Sequence, residues 1–355
     1  MSNQERRYSI AVIEGDGIGR EVVPAALRCV MKLAELHGFA VESRHYDWGS
    51  DHFRQHGRMM PVDAIERLAS HDAILLGAVG DPDIPDTETL WGLLIPIRRS
   101  FDQYVNLRPI RVLPGTTPPV RGAEEMDLVV VRENVEGEYS SVGGRVYQGQ
   151  DDELAIQDSV FTRRGIARVT RFAVELASKR RGMLTSATKS NGIIHSMPFW
   201  DEVVTEVASR EPSVQLRKVL IDALAAELVL HPTNFDVIVA SNLFGDILSD
   251  LTGAIAGSIG VAPSANLDPE RRYPSMFEPV HGSAPDIAGQ GVANPVGAMW
   301  SAALMLDHLG EAEAGTGLER AFEAVLGSGH ATKDLGGSAT TEAFTDEVLE
   351  QLTVR

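Results

Sequence analysis

The sequence predicts an α/β architecture, and three observations carry that prediction. Short apolar runs of strand length alternate with longer stretches whose apolar residues recur about every 3.6 positions. The strand-like runs YSIAVIEG, DAILLGAVG, DLVVVREN and FDVIVASN are apolar on both faces, as suits a sheet covered by helices on both sides. The chain has 355 residues, above the size at which single cores stop growing, so two lobes are expected.

Taken in order, YSIAVIEG runs into EGDGIG and then into the helical pattern GREVVPAALRCVMKLAELHG. The glycines from Gly15 to Gly19 are spaced G-x-G-x-G, and position 20 is Arg. No acidic residue ends a second strand about 20 residues later, where a ribose contact would need it. EGDGIG is therefore read as a tight strand-to-helix turn and not as a Rossmann fingerprint. Cys29, the single cysteine, lies in that helix and is expected to be a buried structural thiol. One cysteine excludes an internal disulfide and cysteine-rich metal sites. GIARVTRFAVELASKRRG and PFWDEVVTEVASREP are further helices. Residues 139–161 carry Gly-Gly and Gln-Gly-Gln-Asp turn signals between short strand-like pieces, so a projecting β-arm that clasps a partner subunit is expected.

The formal charge is −18, from 32 basic and 50 acidic residues, which argues against a nucleic-acid surface. No apolar run reaches membrane-spanning length and no secretory apolar segment opens the chain, so no membrane partner and a cytoplasmic location are expected. An anionic substrate would need local arginines against this trend. Arg98 and Arg99 follow LLIPI, Arg108 closes YVNLRP and Arg132 ends VVVREN. Each alone suits a surface ion pair. As a set in an acidic chain they favour carboxylate recognition, for which the guanidinium fork is matched.

Asp246 and Asp250 in NLFGDILSD are four apart. A helix starting near Gly245 puts them one turn apart on one face. No neighbouring residue in the sequence offers a cation between them, which favours a hard divalent ion. A helix-start charge beside a solvated carboxylate remains an equal alternative from spacing alone. FEPVHGSAPDIAGQGVANP is a Gly- and Pro-rich loop that could cradle phosphates through backbone N–H groups, with Asp286 accepting from ribose, or could be purely structural. Tyr139 and Lys189 could do acid–base chemistry near a metal, though singly each suits a packing or surface role.

The order GDGIG, LLIPIRRSFDQYVNLRP, VVVRENVEGEY, TKSN, FDVIVASNLFGDILSD and EPVHGSAPDIAGQGVANP resembles the β-decarboxylating dehydrogenases, the family of isopropylmalate and isocitrate dehydrogenases, over almost the whole chain. YDWGSDHFRQHGRMMP, GAVGDPDIPDTETLWG and FDQYVNLRP resemble its tartrate and D-malate branch. The resemblance implies a two-domain, non-Rossmann α/β fold with mixed sheets covered by helices and an active-site cleft between the domains. One domain would be 1–103 plus 260–355. The other, 104–259, would carry the arm and dimerise. It implies substrate-carboxylate arginines at Arg98, Arg108 and Arg132, an acid–base pair at Tyr139 and Lys189, and metal aspartates at Asp222, Asp246 and Asp250. Asp222 and Lys189 would serve the neighbouring subunit's site in a homodimer.

By the same resemblance His281, Gly282, Ser283, Ala284, Pro285, Asp286, Ile287 and Asn294 bind the cofactor. Asp286-Ile287 stands where NADP-using relatives carry Lys-Tyr. A carboxylate there repels a 2′-phosphate, which favours NAD. The activity implied is oxidation of a small 2-hydroxy dicarboxylate with NAD and Mn or Mg, followed by β-decarboxylation. A K requirement is compatible but has no marker here. The nearest rival is 3-isopropylmalate dehydrogenase, with Trp91, Leu94 and Ile95 beside the substrate's branched group. Isocitrate dehydrogenase would carry serine and asparagine where Trp91-Gly92-Leu93-Leu94 stand. A catalytically silent scaffold would have lost Lys189, Tyr139 or an aspartate, and all are present.

Overall fold

The computed structural model describes residues 6–353. Its strands are β1 Arg7–Gly15, β2 Ala40–His45, β3 Ala73–Ala78, β4 Val105–Arg111, β5 Asp127–Glu133, β6 Gly143–Val146, β7 Leu154–Gln157, β8 Met183–Thr188, β9 Gln215–Leu220, β10 Val237–Ala240, β11 Pro263–Leu267 and β12 Ser275–Pro279. The four strands read from apolar runs are β1, β3, β5 and β10. The chain forms two compact units. One holds residues 6–103, Arg111–Glu124 and residues 253–353. The other holds Tyr104–Ile110 and Glu125–Thr252.

In the first unit the strands lie in the order β2-β1-β3-β12-β11. β1 pairs in parallel with β2 and β3, and β12 with β3, whereas β11 and β12 are antiparallel. The sheet is therefore mixed, and its order is not that of a Rossmann domain. All six residues of β3 are buried, which is why that run is apolar throughout. The helices Gly19–His37, Val296–Leu309, Ala312–Gly327 and Thr341–Gln351 pack against one another. Tyr46, Trp48, Met59, Leu76, Leu93, Leu94, Ile97 and Phe101 belong to a second apolar cluster. Cys29 is fully buried, and burial pushes its thiol up to about 12.

Residues 111–124 and 253–259, grouped with the middle segment in the sequence reading, pack instead with the first unit. Arg111 lies 4.7 Å over the Trp300 ring and pairs with Glu319 and Glu323, each at 2.7 Å. Gly115 has φ +77°, and a Cβ there would meet Leu326 O at 2.2 Å. Such long-range anchors leave no local mark in the sequence.

The second unit orders its strands β4-β5-β10-β8-β9, with β5, β10, β8 and β9 parallel neighbours. The helices Arg163–Ser178 and Ser196–Ala208 pack together, and Trp200 buries its ring while donating Nε1–H to Ser186 Oγ at 3.0 Å. β6 and β7 form an antiparallel hairpin in which every strand residue is exposed, within the segment where an arm is expected. No described helix is long and apolar enough to cross a membrane.

Candidate active site

At the C-terminal end of β5, Arg132 is 2 % exposed. A buried guanidinium must be met by oxygen acceptors. Asn242 Oδ1 accepts from its Nε at 3.1 Å and Nη2 at 2.7 Å, and its Nη1 donates to Asp246 Oδ1. The other oxygen of Asp246 accepts from the Tyr139 hydroxyl at 2.9 Å, and Arg132 lies 5.5 Å over the Tyr139 ring. Arg108, from β4, points Nη1 at Ser249 Oγ at 2.5 Å, Asp246 Oδ1 at 3.3 Å and Asp250 Oδ1 at 3.4 Å. Two arginines, one tyrosine and two aspartates therefore converge within this unit.

The helix bearing the aspartates is Asn242–Ala256. It begins three residues before the expected start near Gly245, and Asp246 and Asp250 do share a face one turn apart. The cation that no sequence neighbour offers comes from β4, where Arg108 stands against both aspartates, so a divalent ion is not the only way to offset their charge. That arginine is more than 130 positions away in the chain, so adjacency could not reveal it. Partial burial first, and then the Asp246 charge, raise the Asp250 carboxyl, while Arg108 and Arg132 oppose the shift.

Lys189 Nζ donates to Asp222 Oδ1 at 2.6 Å. That contact holds the exposed Asp222 carboxyl below the usual carboxylate range. Among the described residues no three His, Cys, Asp or Glu side chains are placed to hold a metal ion. Asp246 and Asp250 offer hard oxygen donors of the kind Mg or Mn takes, and they fit part of a coordination shell.

The remaining expected residues lie in the first unit. Arg98, on the short helix Ile95–Ser100, pairs with Glu278 at 2.7 Å, and Asn266 Nδ2 donates to the same Glu278 oxygen at 2.8 Å. Its Nε is buried with no protein partner. A π-helical turn, Leu90–Leu94, precedes that helix. Within it Leu94 packs into the apolar cluster. Trp91 is exposed under Arg99, whose guanidinium lies 5.0 Å from the ring.

The loop His281–Ile287 is tied to the EGDGIG turn. Ile18 N–H donates to Ser283 O at 2.9 Å, and a Cβ on Gly17 would meet that oxygen at 1.9 Å. The glycine spacing is thus explained by close backbone approach. Asp16 holds the surrounding turns, accepting from Ser50 N–H, the Ser50 hydroxyl and Gly80 N–H at 2.7–2.9 Å. Ala284 has φ +41°, a strained value for a residue with a Cβ. Burial lowers the His281 imidazole below the usual histidine range. Its Nδ1 meets Gly282 O at 3.0 Å and so carries the proton. Nε2 is then a buried acceptor without a protein partner, which fits a loop built to meet a ligand.

Gly282, Pro285 and Asp286 are exposed. Asn294 donates to Asp334 Oδ2 at 3.0 Å and accepts from Val296 N–H at 3.0 Å. Sequence reading missed Asp16, Asn242, Ser249, Glu278 and Asp334. The first four lie in motifs already singled out, Asp334 lies outside all of them, and only partners far along the chain distinguish these residues.

Residues 9–351 match the family model described as isocitrate/isopropylmalate dehydrogenase. A Bacillus subtilis protein named probable tartrate dehydrogenase/decarboxylase is 53 % identical over 349 residues, covering 98 % of each chain. The Escherichia coli D-malate dehydrogenase (decarboxylating) is also 53 % identical, over 351 residues, covering 96 % of this chain and 97 % of its own. The crystal structure of isocitrate dehydrogenase from Methylococcus capsulatus superposes with a TM-score of 0.89 at 29 % identity, covering 98 % of this chain and 100 % of that one. The motif order, the mixed-sheet fold and these matches lead to one conclusion: the chain belongs to the isocitrate/isopropylmalate dehydrogenase family and is an oxidoreductase of that family.

Proposed function

We propose that the chain oxidises and, where the substrate allows, decarboxylates a small 2-hydroxy dicarboxylate such as D-malate or tartrate, using NAD and Mg or Mn, as a homodimer with shared sites. The observation that carries this reading is the convergence of Arg108, Arg132, Tyr139, Asp246 and Asp250 in a chain of net charge −18. Two arginines offset the two aspartates there, so in a strongly acidic chain this spot is locally balanced and offers guanidinium donors to an anion. Relatives at 53 % identity named for tartrate and D-malate support the substrate class.

Arg108 and Arg132 orient a substrate carboxylate through paired N–H donors, with Arg98 as the third arginine. A bound divalent cation, held by Asp246, Asp250 and the Asp222 of a second copy, would act as a Lewis acid and lower the pKa of the C2 hydroxyl. NAD on the His281–Ile287 loop and Asn294 would accept the hydride, with Asp286 toward the ribose 2′-hydroxyl. Lys189 of the second copy receives the C2 hydroxyl proton. Tyr139 delivers a proton to C3 after CO2 is lost.

Steady-state kinetics on D-malate, tartrate and 3-isopropylmalate, with NAD and Mg or Mn, test the reading. Turnover of D-malate or tartrate that disappears with chelator is expected. Preference for 3-isopropylmalate, or activity indifferent to chelator, would overturn it.

A further inference from the structure

We infer that Asn242 is a positioning residue that presents the Arg132 guanidinium to the substrate carboxylate without cancelling its charge. The inference rests on the reading of Arg132 as a carboxylate receptor. Asn242 is 3 % exposed and opens the helix Asn242–Ala256. Its Oδ1 takes two N–H groups from one edge of Arg132, at 3.1 and 2.7 Å. Its Nδ2 donates to Glu136 O at 3.1 Å. A carbonyl can only accept, so this contact fixes which amide atom faces the guanidinium.

Asn242 is itself held. The Glu138 carboxylate accepts from Leu243 N–H at 3.0 Å and from the Ser241 hydroxyl at 2.7 Å, anchoring both neighbours. Gly137, at φ +86°, lets the chain pass where a Cβ would stand 3.2 Å from Asn242 Cβ. On the other side a Cβ on Gly245 would come within 2.6 Å of Arg132 Cβ, so the helix backbone presses on the arginine stem. Arg132 is clamped between the first turn of this helix and its own strand.

The acceptor's neutrality matters. Asp246 already takes Arg132 Nη1. A carboxylate at 242 would set a third anion, beside Asp246 and Asp250, against Arg108 and Arg132, and an incoming dicarboxylate would meet net negative charge. An amide supplies the same fork geometry with no charge. Arginine's value here is a planar, oriented pair of donors, and small errors in its placement cost about 10²-fold in rate.

The test uses Asn242→Asp, nearly isosteric, and Asn242→Ala, each alone and combined with Arg132→Lys. We expect about a 10²-fold loss in kcat/KM for D-malate or tartrate. The loss should fall mainly on the dicarboxylate KM, with the NAD KM within about twofold. The rise in Tm produced by the dicarboxylate with Mg, without NAD, should shrink in parallel. Losses in the double variants should be clearly less than the product of the single losses, because both changes act through one guanidinium. Should Asn242→Ala fail to fold, Asn242→Asp carries the test. An unchanged dicarboxylate KM in Asn242→Asp, or losses that multiply with Arg132→Lys, would overturn the inference. A wild-type protein inactive on every dicarboxylate would instead overturn the proposed function, and this inference with it.

Discussion

Glu133, the neighbour of Arg132, shows what a single buried carboxyl contributes. Burial raises it to about 7, against the opposing N–H groups of Val135 and Glu136. A carboxyl raised above its unfolded value is protonated more readily in the native state. Between about pH 4.5 and 7 the folded chain therefore binds more protons, and stability declines as pH rises through that window. Glu133→Gln should flatten this component, read as the difference between wild-type and variant urea midpoints from pH 5 to pH 8. Parallel profiles would refute it. Nothing in VVVREN marks position 133 as buried in this way, since its environment is assembled from the turn beyond it. Cys29 differs, because its place on the apolar face of a helix was legible from spacing alone.

Among the elements, the helix Arg163–Ser178 shows how a start signal combines with a distant residue. Thr162 accepts from Gly165 N–H at 3.0 Å, the ordinary N-cap contact. It also donates its hydroxyl to Glu136 Oε1 at 2.7 Å. Thr162→Ala removes both contacts of the hydroxyl and should lower unfolding free energy by about 1 kcal/mol or more, as urea denaturation reads it. A change within error would show that the cap contributes nothing here. The helix itself was predicted from its apolar period, with a start two residues late. The β6–β7 hairpin was predicted from its turn signals. An isolated two-stranded hairpin with every residue exposed is marginal in water, which agrees with a partner covering it in the proposed dimer.

For the whole molecule, the proposed sharing of sites between two copies makes a distinctive demand. Lys189→Ala and Asp246→Asn should each be nearly inactive alone. Denatured, mixed in equal amounts and refolded, they should recover about a quarter of the wild-type sites, because half the dimers are mixed and each carries one intact site. Activity that stays at the level of the separate variants would exclude sharing. By itself the sequence determined the α/β alternation, the buried strands, the rejection of a Rossmann fingerprint, the one-turn spacing of Asp246 and Asp250, and the motif order that carries the family. These depend on local periodicity and on residue types along the chain. Only the tertiary structure decided that Arg108 stands against both aspartates, that Asn242 holds an arginine 110 positions away, that Leu94 is core and that Lys189 pairs with Asp222. Those contacts depend on which strand ends lie side by side. Strand order is set by packing across the sheet, which leaves no periodic trace in the sequence.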